Sequence, residues 1–471
     1  MPEPQHDKRG SFRDSLATID RRGHRIWVYP TKPKGKLHRA RAIVAIFLLA
    51  FLFGAPFIKL HGNPLFQLDV INRKFFILGF IFWPQDIYLF VLGTIALVVF
   101  IILFTAAYGR LFCGWICPQT VFLEMVFRKI EFLIEGAGPR QRELNRAPMS
   151  SSKFGKKALK HTIFFGLAFL IGNTFLAYFI GIDALLDLVT SPPAEHVTGF
   201  IFMVLFSLVF YWVFSWFREQ ACTLVCPYGR LQSVLLDSNS IVVAYDFKRG
   251  EPRGPIPRAG ERVGKRDCID CGACVRVCPT GIDIRNGTQL ECVNCTACID
   301  VCNRAMHGVG FPPGLIRYAS YDSIAHGTPL RFTPRMKLYT AVLSVLVIVI
   351  TALLIFRTPV EATILRATGS MYEELSDGNI RNVYTITVTN KTADQLPVTL
   401  KLTNVSGKLT ILGPELNIPP QGQRESVFSI EIPKSNLFTA NSLITIEVMS
   451  GDKQLESVRT TFVGPELRRN Q

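Results

Sequence analysis

Five uninterrupted apolar stretches punctuate this chain, near Ala42 to Leu60, Ile87 to Ala107, His161 to Gly181, Val197 to Phe217, and Leu338 to Phe356. A helix needs about 20 apolar residues to cross a bilayer. A helix that is apolar around its whole circumference belongs in lipid or in a very large core. Five of them predict an integral membrane α-helical protein with five transmembrane helices. Val121 to Leu133 differs: apolar residues recur at helical spacing, with Arg128, Lys129 and Glu131 at other positions, which predicts an interfacial helix. After the last span the period falls to two. Asn382 to Asn390 alternates strictly, and Leu396 to Leu402, Ser426 to Ile432, Ser442 to Val448 and Ser457 to Val463 are strand-like runs divided by turn signals such as Ser406-Gly407 and Ser450-Gly451. About seven short strands predict an all-β immunoglobulin-like domain at the C-terminus.

Composition sharpens this picture. Hydrophobic residues make up 49% of the 471, 36 of them Phe, yet the net charge is +16. A nucleic-acid binder would gather that charge on one soluble face, whereas here long uncharged spans separate the basic segments. Residues 1 to 40 carry ten Lys and Arg against four acids, as do residues 108 to 160; residues 182 to 196 carry Asp183, Asp187 and Glu195 with no Lys or Arg. Excess positive charge stays inside, so the N-terminus is expected in the cytoplasm of a bacterial inner membrane and the C-terminus in the periplasm. The first forty residues lack a signal-peptide apolar region, so the first span is expected to be kept as an anchor.

The expected organisation is a basic N-terminus (1–41), two helices (42–107), a cytoplasmic loop (108–160), two helices (161–217), a cytoplasmic segment (218–337), a fifth helix (338–356) and a periplasmic domain (357–471). Arg249 to Gly264, with Pro252, Pro255 and Pro257, reads as a linker into a metal-binding module at about 258–310.

All twelve cysteines fall in four motifs, every one on the predicted cytoplasmic side, where thiols stay reduced. Two are Cys268-x2-Cys271-x2-Cys274-x3-Cys278-Pro279 and Cys292-x2-Cys295-x2-Cys298-x3-Cys302, the ligand run of a two-cluster bacterial ferredoxin. In such ferredoxins the fourth ligand is exchanged between runs. One [4Fe-4S] cluster is therefore expected on Cys268, Cys271, Cys274 and Cys302, the other on Cys292, Cys295, Cys298 and Cys278. Zinc is the alternative, but eight cysteines in two matched runs exceed what a zinc ribbon needs. The second run ends Cys302-Asn303, without the proline that follows Cys278. Gly272, Ala273, Thr296 and Ala297 suit a backbone that wraps a cluster and aims amides at its sulfurs.

The other two motifs, Cys113-x3-Cys117-Pro118 and Cys222-x3-Cys226-Pro227, each follow a pair of spans, with the cysteines 109 residues apart. Arginines precede both, Arg110 in one case and Arg218 in the other. Residues four apart share a helix face, so each pair could chelate a soft metal such as Cu(I) or form a redox disulfide; together the four thiols could hold a further cluster, and buried packing is the bland alternative. No histidine lies inside an expected span, which argues against membrane haem. No Walker or dinucleotide fingerprint appears.

Ile26-Trp-Val-Tyr-Pro30, Gln67-Leu-Asp-Val70 with Arg73, Pro84-Gln-Asp86, Cys113-Gly-Trp-Ile-Cys-Pro-Gln119, Cys222-Thr-Leu-Val-Cys-Pro-Tyr-Gly-Arg230 and the double ferredoxin run together resemble the CcoG family, also called FixG or RdxA. The resemblance covers nearly the whole chain. It implies an accessory protein for cbb-type cytochrome oxidase assembly, acting as a cupric reductase that supplies Cu(I) and working with oxidase subunits or copper chaperones and a cytoplasmic electron donor. It also implies cluster ligation by the eight cysteines from Cys268 to Cys302 and copper or cluster binding by Cys113, Cys117, Cys222 and Cys226. Two rival readings are a quinol-linked electron conduit like NapH, which lacks the C-terminal sandwich, and a nonenzymatic assembly scaffold.

Overall fold

The computed structural model describes residues 17–20, 22–60, 62–70, 73–256, 264–329, 332–367, 371–392, 394–437 and 439–465. The chain divides into two compact units, residues 1–350 and 351–471. The expected linker falls partly outside the described residues, at 257–263.

Five helices in the first unit and at its end are long and apolar enough to cross a membrane: α1 Lys36–Phe57, α2 Pro84–Tyr108, α3 Ser151–Ile180, α4 Val197–Phe217 and α5 Pro334–Ile355. All but α4 begin earlier than hydropathy indicates, α3 by ten residues. The first turns of α3 are basic, and its helix continues because the Ser150 hydroxyl accepts the Lys153 N–H at 3.2 Å and Lys157 and Lys160 pair with Glu135 at 2.8 and 2.9 Å. His161 therefore lies within α3, with Nδ1 2.8 Å from the Tyr211 hydroxyl, and not at the edge of a span.

The stretch expected to lie at the interface does something else. Pro118–Val121, Phe122–Phe127 and Arg128–Ile134 run as one helical segment with a π-helical middle. Val121, Phe122, Leu123, Met125 and Phe127 are all buried. Phe127 stacks on Phe214 of α4 at 4.7 Å and meets Phe164 of α3 edge-on at 4.8 Å. The polar face is buried too, because its charges have partners: Arg128 pairs with Glu124 at 2.8 Å, and Glu131 accepts both arms of Arg218 at 2.6 and 2.9 Å. A segment with its charges neutralised internally can enter the helix bundle where a free one would lie on its surface.

The ends of the bundle differ. At one, three short strands, Phe66–Asp69, Lys74–Ile77 and Phe80–Phe82, form an antiparallel meander, and Lys59 reaches Asp183 at 2.7 Å. At the other, every cysteine segment packs on the helices. The Ile241 N–H donates to the Ala107 carbonyl at 3.0 Å and the Ser240 hydroxyl to the Ala106 carbonyl at 2.9 Å, both at the end of α2.

The second unit is all β. One sheet orders Lys408–Ile411, Gln423–Pro433, Asn379–Asn390 and Val360–Arg366; another orders Thr399–Leu402, Asn441–Ser450 and Lys453–Val463. Strict alternation turns Ile380, Tyr384, Ile386 and Val388 inward against Ile444, Ile446, Val448 and Phe462, all fully buried. The Tyr384 hydroxyl donates to the Thr461 carbonyl at 3.0 Å, tying the two sheets across the core. This is the immunoglobulin-like sandwich the alternation predicts, enlarged by strands too short or too irregular to stand out in sequence, such as Asn417–Ile418.

Candidate metal centres

The two ferredoxin runs adopt one backbone twice. Asp270 and Asn294 have φ of 53° and 52°, Gly272 and Thr296 have φ of 62° and 65°, and each pair is 24 residues apart. The left-handed turn after the second cysteine leads into a short helix, Ala273–Val277 in one copy and Ala297–Gly308 in the other. Glycine adopts that turn freely; threonine does so at a cost. Pro279 helps end the first helix after one turn, whereas Asn303 lets the second continue, its side chain accepting the Gly314 N–H at 2.8 Å.

Between the loops lie two cavities. One is walled by Cys268, Cys271, Cys274 and Cys302. The other is walled by Cys278, Cys292, Cys295 and Cys298. Each gathers three cysteines of one run with the last of the other, and Cys274 lies on both walls, so the cavities are neighbours. Among the described residues no three His, Cys, Asp or Glu converge on a point as a single ion would require; the thiols surround volumes.

The surroundings fit thiolate-held clusters. Burial pushes Cys292 and Cys302 up to about 12 and Cys274 and Cys295 to about 11. Such thiols give up their protons to a metal and not to water. Burial likewise raises Cys278, and the Thr280 hydroxyl and the backbone N–H groups of Thr280, Gly281 and Ile282 oppose it. Amides aimed at sulfur stabilise the negative charge of a bound cluster. Cys271 is exposed, so the first cavity opens to solvent, while Cys295 is buried.

The Cys-x3-Cys-Pro motifs also repeat structurally. The helix before each ends at a residue with unusual backbone angles, Gly109 (φ 55°, ψ −130°) and Arg218 (φ 50°, ψ −123°), four residues before the first cysteine. Cys117 and Cys226 then precede helices that begin at Pro118 and Pro227. The equivalent of Arg110 is consequently Glu219, not Arg218. The four thiols come together: Cys222 lies within electrostatic reach of Cys113, Cys117 and Cys226. Burial pushes Cys222 up to about 12 and Cys113 to about 11. The Cys113 thiol donates to Gln232 Oε1 at 3.0 Å, and the Gly229 N–H points at Cys226 Sγ at 3.4 Å.

This site abuts the second cavity. Cys113 packs with Val293, Cys295 and Ala297 in one buried cluster. Gly114 lies so close to residues 293 and 294 that a methyl there would sit 2.4 Å from the Val293 carbonyl oxygen. Trp115 Nε1 donates to the Tyr318 hydroxyl at 3.2 Å. Arg41 of α1 donates from Nε to the Gly114 carbonyl at 2.5 Å. Arg41, Gln232 and Tyr318 carry no signal in the sequence, whereas Gly114 and Asn294 lie inside cysteine motifs.

Comparison with known proteins finds iron–sulfur and immunoglobulin-like domains in this chain. Residues 217–321 match the family described as 4Fe-4S dicluster domain, residues 90–135 the 4Fe-4S binding domain, and residues 350–465 the IG-like fold at the C-terminal of FixG. Protein RdxA of Cereibacter sphaeroides is 33% identical over 383 residues, covering 78% of this chain and 80% of that protein. Nitrogen fixation protein FixG of Rhizobium meliloti is 31% identical over 420 residues, covering 80% and 79%. Protein RdxB of Cereibacter sphaeroides is 34% identical over 395 residues, covering 80% and 82%. The crystal structure of a FixG-related protein from Vibrio parahaemolyticus aligns with 22% of this chain at 18% identity, with a TM-score of 0.19. With five apolar helices, paired thiol-walled cavities and a C-terminal sandwich in one chain, and relatives that match along four-fifths of it, this membrane iron–sulfur electron-transfer protein belongs to the FixG/RdxA family.

Proposed function

We propose that the chain is a cupric reductase of the bacterial inner membrane that supplies Cu(I) for assembly of cbb-type cytochrome oxidase. In this reading Cys268, Cys271, Cys274 and Cys302 hold one [4Fe-4S] cluster and Cys292, Cys295, Cys298 and Cys278 the other. The observation that carries it is the pair of adjoining cavities, each walled by three thiols of one run and the fourth of the other. A reduced cluster supplies one electron when bound, the number Cu(II) needs to become Cu(I). Cys113, Cys117, Cys222 and Cys226 offer the substrate copper a soft thiolate site, which favours the reduced ion. The electrons come from a cytoplasmic donor, and the C-terminal sandwich, in the periplasm, docks oxidase subunits or copper chaperones.

A second reading gives the four thiols a further cluster. It is favoured by the match of residues 90–135, which contain Cys113 and Cys117, to a 4Fe-4S binding domain. One experiment addresses both. The anaerobically purified protein is reduced, mixed with Cu(II), and followed by cluster absorbance while a colorimetric chelator reports Cu(I). Cluster reoxidation matched one to one by Cu(I) is expected; clusters that stay reduced while Cu(II) persists overturn the reductase reading. With Cys113, Cys117, Cys222 and Cys226 all changed to Ser, the copper reading expects iron to stay at about eight per chain, while a fall from about twelve to about eight selects the further cluster.

A further inference from the structure

Arg110 and Arg218 precede the two Cys-x3-Cys-Pro motifs, and both are buried, but their charges are handled differently. Arg218 is bonded to Glu131 through both arms and lies 3.6 Å from Glu219. Arg110 has no carboxylate partner among the described residues. Its guanidinium donates to the Leu290 carbonyl, two residues before Cys292, and its Nε finds no acceptor. Gly229 makes room for it: a methyl on that glycine would sit 2.7 Å from an Arg110 terminal nitrogen. The side chain thus reaches from the end of α2, past Cys113, across to the loop of the second ferredoxin run.

An unpaired buried cation is costly, and removing the partner of a buried ion destabilises strongly. Neutral thiols would leave Arg110 in that state. What lies near it is sulfur: Arg110 stands three residues before Cys113, its guanidinium bonds to Leu290 two residues before Cys292, and its field acts on Cys113, Cys222 and Cys292. Those three belong to two different sites. The side chain that bonds beside Cys292 and fills the space at Gly229 therefore stands between the two thiol sites.

We propose that Arg110 is the counter-cation shared by the four-thiol site and the site at Cys278, Cys292, Cys295 and Cys298, and that it positions the second site as the one whose reduced cluster passes one electron to the oxidised metal, Cu(II) or a further cluster, held by the four thiols. The first site, with its exposed Cys271, is then the entry. The inference rests on the cluster ligation proposed above, but not on copper being the acceptor.

The test uses the full-length protein in detergent, loaded anaerobically, as wild type, R110Q and R110K. Midpoint potentials of the clusters are measured by spectroscopic titration together with iron and sulfide content; Cys292→Ser identifies the second-site signal by its loss. With charge removed, R110Q is expected to lower the midpoint of the second-site cluster and leave the first unchanged. R110K, which keeps the charge, is expected to retain the wild-type midpoint. Wild-type midpoints in a fully loaded R110Q overturn the proposal. If R110Q loads poorly, R110K decides: normal iron with a normal midpoint supports a charge role, and a defect equal to that of R110Q overturns it. Should Cu(II) fail to oxidise the wild-type clusters, the reductase reading falls while the midpoints still judge Arg110.

Discussion

The carboxylate of Asp300 accepts the backbone N–H of His38 at 2.8 Å, and that of Leu37 at 3.2 Å. Asp300 lies between Cys298 and Cys302, and Leu37 and His38 are in the first turn of α1. One side chain therefore caps a transmembrane helix from within the cluster module. Gly35 permits the approach, since a methyl there would fall 2.1 Å from the Asp300 carboxyl carbon. The module is held against the membrane helices through a helix terminus, where free N–H groups and the positive end of the dipole favour an anion.

Asp300→Ala should lower stability by about 1 kcal/mol, the usual worth of such a cap. Asp300→Asn should retain most of it. Thermal unfolding in detergent followed by tryptophan fluorescence checks this; an unchanged melting temperature in Asp300→Ala would show that the cap is dispensable.

Gly114→Ala should be more damaging. The added methyl meets the backbone of residues 293 and 294, and Arg41 holds the Gly114 carbonyl from the other side, so neither wall yields easily. Overpacking of this kind costs about 1–3 kcal/mol. The measurable signature is lower iron content in the purified variant, with the C-terminal sandwich still folded by circular dichroism.

Glu131 and Arg218 form a buried, doubly hydrogen-bonded pair. Glu131→Gln leaves the guanidinium short of charge, and breaking such a pair typically costs about 3–5 kcal/mol. The Arg218 guanidinium and its basic neighbours overcome burial and hold the Glu131 carboxyl down at about 2. Between that value and the ordinary carboxylate range, the unfolded chain binds a proton that the folded chain does not. The pair's contribution is thus complete above the ordinary range and is lost as pH falls towards about 2. Acid denaturation midpoints should move to higher pH in Glu131→Gln if the folded protein survives purification.

Cys302→Ser separates exchanged from unexchanged ligation. The cavity it lines also holds Cys268, Cys271 and Cys274, so its loss should empty the site of the first run while the site of its own run keeps its iron. Iron should fall from about eight to about four per chain. The remaining spectrum should vanish on adding Cys292→Ser and survive Cys268→Ser; the reverse pattern would mean that each run serves its own cluster.

Much of this was legible along the chain because it is local. Apolar length marks the five helices, alternation marks the sandwich, and cysteine spacing marks the ligand runs. The misreadings come from charges whose partners lie far away in sequence. Val121 to Leu133 resembles a surface helix until Arg218, about 90 residues on, neutralises Glu131. The start of α3 looks like a loop until Glu135 meets Lys157 and Lys160. The repeat was visible at the cysteines, but that Gly109 and Arg218 share a backbone turn was visible only in the structure.

The sequence by itself determined which chemistry the twelve thiols are suited to and how the chain is divided between lipid and water, since both follow from residue type and short-range period. How the second ferredoxin site meets the Cys-x3-Cys-Pro site was decided only by tertiary structure. The packing of Gly114 on residues 293 and 294, and the reach of Arg110 to Leu290, join segments some 180 residues apart. Contacts of that kind depend on shape and on the balancing of buried charge, and neither leaves a periodic trace in the order of residues.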